Sequence, residues 1–236
     1  AISTAAFPNM TERLGQNRPD LFRDELQTVL RIIIWIAMPV AIITFFTRGY
    51  LVNFINNGGD MLMASLLCIL VIAILFRSIY HIAARSFYAQ QDTKTPLYIS
   101  LVAISLNIFL AMWFTFTLKL GAYGLASAQS IVAVVEVAIL FAVMSQRIPG
   151  LFSRDFWSAI VRMASATGLM SIVTYILVAV MPLGANDNSF FASFPKFALI
   201  VLVSAIAYVF VSQVMMLKEA NPVIRRLKRL LFGNIR

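Results

Sequence analysis

Arg77, His81 and Arg85 stand at i, i+4 and i+8, a spacing that stacks three basic side chains along one face of a helix. Guanidinium forks suit bidentate contacts with phosphate oxygens, and histidine, which stands between them, is the side-chain type whose charge can change near neutral pH. Two readings stand. The face binds an anionic group, or the three side chains are anchors at the inner boundary of a membrane that reach up to its headgroups. Lys94 adds a fourth basic group at the next turn, and Thr95-Pro96 reads as a helix start, with Thr95 as the cap and Pro96 in the first helical position. Glu136 is the sole acid deep in an apolar stretch. Burying such a charge costs about 2.5–3.5 kcal/mol on insertion scales. It either serves proton coupling or a cavity, or stays protonated and bonds a neighbouring helix. Asn107 and Gln129 also lie within apolar stretches and read as interhelical hydrogen-bond residues or as ligands.

The elements that must position these residues are membrane helices. The chain has 236 residues, of which 61% are hydrophobic and only 12% charged, with a mean hydropathy of +0.87. Soluble domains average about 45–50% apolar and about 25% charged residues. The net charge of +9 would suggest nucleic acid in a soluble protein. Here most of the cations lie in loops between apolar spans, so orientation in a membrane accounts for them and no nucleic-acid partner is expected. The single cysteine, Cys68, excludes an internal disulfide and reads as a small buried hydrophobe. One histidine, one cysteine and no paired carboxylate in a plausible pocket leave no metal or nucleophile constellation, and there is no phosphate-binding loop. No enzyme activity, metal or cofactor is expected, and any coupling must draw on an ion gradient or the membrane potential.

Taken in order, residues 1–10 read as the inner end of a helix and 11–21 as a polar loop, with Asp20 placed to cap the next helix. Phe22, Leu26, Val29, Leu30 and Ile33 form the stripe of an amphipathic lead-in. It runs into a span over 32–47 that Pro39 should kink. Tyr50 to Asn56 reads as an interfacial piece and Asn57-Gly58-Gly59-Asp60 as a turn. A span then begins at Met61. Arg77 lies about 24 Å along that helix, in the inner third of a hydrocarbon core about 30 Å thick. Further spans are expected over 96–118, 125–144, 156–181 and 190–217. The fourth of the six, from Leu125, carries small residues (Ala126, Ser127, Ala128, Ser130, Ala133) that permit close packing. Residues 218–236 form a basic amphipathic tail suited to an anionic leaflet. The fold class expected is all-α: a polytopic transmembrane helical bundle with six full spans plus a helix end. Arginine and lysine crowd one set of loops, which the positive-inside rule places in the cytoplasm with both ends of the chain.

Ala84-Arg85-Ser86-Phe87-Tyr88-Ala89-Gln90-Gln91-Asp92-Thr93-Lys94-Thr95-Pro96 resembles the pattern A-R-x-F-Y-A-x-x-D-T-[KR]-T-P of the MurJ/MviN family of bacterial lipid II flippases. Phe87, Tyr88, Asp92, Thr93, Lys94, Thr95 and Pro96 carry the match. Ala5-Ala6-Phe7-Pro8, then Pro39 with Thr47-Arg48-Gly49-Tyr50-Leu51-Val52, and Gly121-Ala122-Tyr123-Gly124-Leu125-Ala126 agree in order. The resemblance is good over residues 1–150. It implies an exporter fold of the MOP/MATE type, with two pseudo-symmetric lobes around a central cavity and two further helices. This chain would supply the end of the eighth helix and helices nine to fourteen. It would lack the first lobe, which becomes its partner within the same protein. Residues 1–150 would be second-lobe helices, 151–217 the two additional helices, and 218–236 the cytoplasmic tail. Some family members build a sodium site from an Asn and an Asp one turn later. Asn107 matches the first, but Ala111 stands at the second and Gln129 replaces an aligned Thr, so a hard cation loses its carboxylate ligand and no sodium site is expected.

The resemblance implies a flippase of lipid II, or of a similar polyprenyl-pyrophosphate glycolipid, in the bacterial inner membrane, working by alternating access. Arg77, His81, Arg85 and Glu136 are then candidates for the substrate cavity, and membrane lipids are the other partners. Two alternatives remain: a related exporter of another lipid-linked oligosaccharide, and a membrane scaffold that transports nothing.

Overall fold

A computed structural model describes residues 19–56, 59–148, 150–184 and 190–221. The described residues form seven α-helices: α1 (Pro19–Phe46), α2 (Arg48–Ile55), α3 (Met61–Ala89), α4 (Lys94–Met112), α5 (Ala122–Arg147), α6 (Arg154–Val180) and α7 (Phe190–Val214). A π-helical turn, Trp113–Thr117, prolongs α4, and a 3-10 turn, Lys218–Ala220, lies beyond α7. There is no strand among the described residues, and six helices, all but α2, are long and apolar enough to cross a membrane. The all-α, six-span reading therefore holds. The helix end over residues 1–10 lies outside the described residues, as does the tail beyond residue 221.

Several local expectations change. The lead-in and first span form one continuous helix with Pro39 inside it, and Asp20 falls in its first turn rather than ahead of it. Phe22, Leu26, Val29 and Leu30 are buried as the stripe requires, and Ile34 rather than Ile33 continues it. Thr95 does not cap α4. Asp92 does, because its charged carboxylate lies two and three residues ahead of the orphan donors and is a stronger acceptor than a hydroxyl. Its Oδ1 accepts the N–H groups of Lys94 and Thr95, both at 3.0 Å, and its Oδ2 accepts the Thr95 hydroxyl at 2.6 Å. Pro96 still lies in the first turn, where its missing N–H leaves nothing unsatisfied. Asp60 does the same for α3, accepting the Leu62 N–H at 2.8 Å.

The chain divides into two compact units. One joins residues up to Ala37 with Ser65–Phe156, and the other joins Met38–Ala64 with the residues from Trp157 onward. In the first unit α3, α4 and α5 pack through small side chains. Ala126, Ala128, Ser130 and Ala133 of α5 are buried, and the Ser130 hydroxyl donates to the Ile69 carbonyl of α3 at 2.8 Å. Backbones approach most closely where the π turn meets α5. A Cβ on Gly124 would stand 2.9 Å from the Phe114 carbonyl carbon, which only glycine avoids. The widened turn, in which the Leu118 N–H reaches back to the Trp113 carbonyl at 3.1 Å, interrupts a span that periodicity alone would run straight to Leu118. α1 is tied to this unit by Gln27, which donates to the Leu151 carbonyl at 2.5 Å, and by Arg31, which donates to the Asp155 carbonyl at 2.6 Å.

In the second unit α2 lies against α7. Asn53 donates to Ser193 at 3.1 Å, and the Phe54 ring meets those of Phe190 and Phe197 at 5.0 and 5.2 Å. The Tyr50 hydroxyl donates to the Met181 carbonyl beyond α6. Between α6 and α7, Thr174 and Ser204 share a buried hydrogen bond of 2.9 Å.

Candidate functional site: an ion pair between three membrane helices

α3, α4 and α5 bring the polar residues of the spans together in the first unit. Arg77 of α3 donates through Nη1 to Glu136 Oε2 of α5 at 3.0 Å. Ser100 of α4 donates to the other oxygen, Oε1, also at 3.0 Å. The Tyr80 hydroxyl completes the chain at 2.8 Å from Ser100 Oγ, and the Arg77 guanidinium lies over the Tyr80 ring, 5.7 Å from its centre. Two turns along, Asn107 of α4 donates to Gln129 of α5 at 3.0 Å. These six residues line one cavity of about 360 Å³. Arg77 and Gln129 also line a second cavity of about 460 Å³, whose other polar wall includes His81.

The pairing answers the problem each charge poses alone. A carboxylate or guanidinium at membrane depth is expensive, and such groups pair or face a cavity. Glu136 retains 3% of its side-chain exposure and Arg77 41%, so the acid is locked in and the base keeps an open side. The arrangement can hold a charge inside a span and, through Arg77, present hydrogen-bond donors to a polar guest.

Among the candidate residues, the structure brings Arg77, Glu136, Asn107 and Gln129 together. The three-base face is not one site. His81 is exposed at the second cavity with its ring edge-on to Tyr80 at 5.7 Å. Arg85 is half-buried, lines neither cavity, and leaves Nη1 without a hydrogen-bond partner among the described residues. Sequence reasoning misses Ser100 and Tyr80. Ser100 precedes Asn107 by seven residues and Gln129 precedes Glu136 by seven. That equal spacing on two neighbouring spans is the available signal that two polar layers meet.

The family motif builds something else. At the end of α3, Gln91 takes a left-handed conformation (φ 57°) and the Asp92 N–H returns to the Phe87 carbonyl at 3.0 Å, the closing pattern of a Schellman cap. Arg147, from the far end of α5, then clamps the turn: Nη1 lies 2.6 Å from Asp92 Oδ2 and Nη2 donates to Thr95 at 2.9 Å. Its guanidinium covers the buried Phe87 ring at 5.2 Å. The Thr95 hydroxyl and N–H, with Arg147, hold the Asp92 carboxyl well below the usual carboxylate range. Thr93, Lys94 and Tyr88 are exposed and Pro96 is buried. In sequence Arg147 reads only as an orienting cation, because the motif ends far before it.

A multi-pass helical membrane protein carrying a paired charge within its spans is the class that this fold and site define. The family model described as "Lipid II flippase MurJ" matches residues 1–194, and the chain belongs to that family. It is 22% identical over 232 residues to the probable lipid II flippase MurJ of Thermotoga maritima, covering 96% of this chain and 44% of that protein. Against the corresponding protein of Borreliella burgdorferi it is 26% identical over 156 residues, 62% of this chain and 30% of that one. A solved structure titled "Lipid II flippase MurJ, inward closed conformation" superposes with a TM-score of 0.65 at 21% identity, covering 87% of this chain and 42% of the other, which shows the shared fold. The chain thus spans less than half the length of these relatives.

Proposed function

We propose that this chain is the C-terminal portion of a lipid II flippase and that the complete protein moves its lipid-linked substrate by alternating access. The observation that carries the reading is the family match over residues 1–194, and the charged cluster of α3–α5 gives it a physical basis. A pyrophosphate crossing a membrane needs cationic donors that are themselves neutralised when it is absent, and Arg77 meets both conditions. Residues 1–150 supply second-lobe helices, 151–217 two additional helices and 218–236 a basic cytoplasmic tail. The remaining lobe comes from the rest of the polypeptide. No chemistry is catalysed. The protein resides in the bacterial inner membrane with both ends of this chain cytoplasmic, a placement supported by the concentration of arginine and lysine in one set of loops. Arg77 and His81 contribute to the substrate cavity, Asn107 and Gln129 join helices, and the Asp92–Arg147 clamp fixes the α3–α4 turn.

The test is complementation with the full-length polypeptide in bacteria depleted of their own lipid II flippase. Restored growth and lipid II translocation are expected from the wild type. Absence of rescue by a protein shown to reach the membrane would overturn the flippase reading.

A further inference from the structure

Arg77 and Gln129 line both cavities, and of the two it is Arg77 that bonds the buried Glu136. On one side it meets Glu136 and the first cavity. On the other it opens to the second, where Leu67, Leu70 and Ile74 form an apolar wall and Arg77, Ser78 and His81 a polar end. That combination, an apolar trough ending in a guanidinium and an imidazole, suits the phosphate end of an amphiphile. The two members of the ion pair differ in freedom. Arg77 has a long flexible stem and 41% exposure, whereas Glu136 at 3% exposure stays among α3, α4 and α5.

We propose that Arg77 is shared between Glu136 and an anionic phosphate group in the second cavity, and that its transfer to the phosphate obliges Glu136 to take up a proton. The proposal rests on the flippase reading above and links binding of its substrate to a proton. When Arg77 turns to the phosphate, Glu136 is left as a buried carboxylate without a countercharge. Such a group is expensive enough that it neutralises instead. The proton comes from water reaching the first cavity and settles on Oε2, the oxygen Arg77 vacates. Oε1 keeps its hydrogen bond from Ser100, and Ser100 keeps Tyr80. When the phosphate leaves, Arg77 returns and the proton is released. Anion binding and proton binding are thereby linked, and linkage acts equally in both directions.

The groups that face Glu136 limit what else could produce the effect. α3 offers Arg77 and Tyr80, with His81 beyond the tyrosine ring. α4 offers only the neutral Ser100 and Asn107, and α5 only Gln129. Phenols titrate at about pH 10, and a pyrophosphate diester is fully ionised near neutrality. His81 is therefore the one competing source of a proton and must be tested beside Glu136.

The experiment measures lipid II binding by the full-length protein in nanodiscs between pH 6 and 8, with proton uptake followed in weak buffer. The wild type should take up about one proton per lipid II bound, so that its affinity tightens about tenfold for each unit fall in pH. Glu136→Gln should bind with no proton uptake and no pH slope, because Arg77 is no longer held back. Arg77→Ala should lose at least tenfold in affinity. His81→Asn should leave the slope in place. Wild-type binding without proton uptake would overturn the proposal alone, and needs no variant to fold. A slope that survives Glu136→Gln, or that vanishes with His81→Asn, would do the same. Failure of the wild type to bind lipid II at all would overturn the flippase reading and this inference with it.

Discussion

α3, α4 and α5 build the same set of groups twice. Inside the membrane, Arg77, Glu136, Ser100 and Tyr80 supply a guanidinium, a carboxylate, a hydroxyl and an aromatic ring. At the end of the spans, Arg147, Asp92, Thr95 and Phe87 supply them again. The two arginines are similarly exposed, at 41% and 37%, but the carboxylates are not: Glu136 retains 3% and Asp92 20%. Asp92 also accepts two backbone N–H groups, whereas Glu136 depends wholly on side chains from other helices. The same chemistry therefore does two jobs. In the clamp it fixes a turn, with backbone donors and nearby water as insurance. In the spans it leaves one charge with no alternative partner, which makes that charge sensitive to anything that engages Arg77.

If this contrast is right, deleting the two arginines should have unequal costs. Arg77→Ala leaves the buried Glu136 without its countercharge, to be held ionised or protonated at a cost, and breaking comparable pairs costs about 3–5 kcal/mol. Arg147→Ala removes an exposed partner and should cost at most about 1 kcal/mol. Unfolding of the full-length protein in detergent, monitored by loss of helical signal, measures both. Equal losses would erase the distinction. A double variant, Arg77→Met with Glu136→Leu, sharpens it: stability should return towards wild type while transport stays lost, since the charges are removed together. Ser100→Ala comes next, removing one charge-assisted hydrogen bond from Glu136 at a cost of about 1.5–3 kcal/mol. At the clamp, Asp92→Asn weakens a helix cap and should cost about 0.5–2 kcal/mol by the same assay.

Much of this organisation is legible in the sequence, for reasons that differ by element. The six spans arise from long apolar runs broken by turns, and α5's close packing from Ala126, Ala128, Ser130 and Ala133. Glu136 and Arg77 can each be singled out because charge within a span is costly, but their pairing crosses 59 positions, and a single sequence carries no register between helices. The i, i+4, i+8 rule correctly places Arg77, His81 and Arg85 on α3, yet a helix turning through 100° per residue drifts: Arg77 and His81 share Tyr80 and the second cavity, and Arg85 lies outside it. The most specific motif in the chain specifies a helix reversal, because a Schellman turn, an aspartate cap and an arginine clamp must all fit within a few residues. The π turn at Trp113–Thr117 leaves no mark, since its cause is the approach of Gly124 from the next helix.

The smallest effect expected concerns pH at the clamp. The Asp92 carboxyl is held below its ordinary range by the Thr95 hydroxyl and N–H and by Arg147, so the folded state favours the ionised form more than the unfolded chain does. The stabilisation it provides is complete above the unfolded value, about pH 4, and is lost as pH falls from there through the lower folded value. Between pH 8 and 5 the clamp should therefore be insensitive, and acid should loosen the start of α4 first. Hydrogen exchange at the Lys94 and Thr95 amides reads this directly, because both donate to Asp92 Oδ1. Corrected for its intrinsic pH dependence, their protection should hold down to about pH 4 and fall below it. Asp92→Asn should remove that dependence, and Arg147→Ala should leave the onset near pH 4 but make the loss smaller and end it at higher pH, by withdrawing one of the groups that favour the anion. An Arg147→Ala protein whose loss of protection in acid matched the wild type's in size and end point would show that Thr95 alone sustains the clamp, and the resemblance between the two four-residue sets would then end at composition.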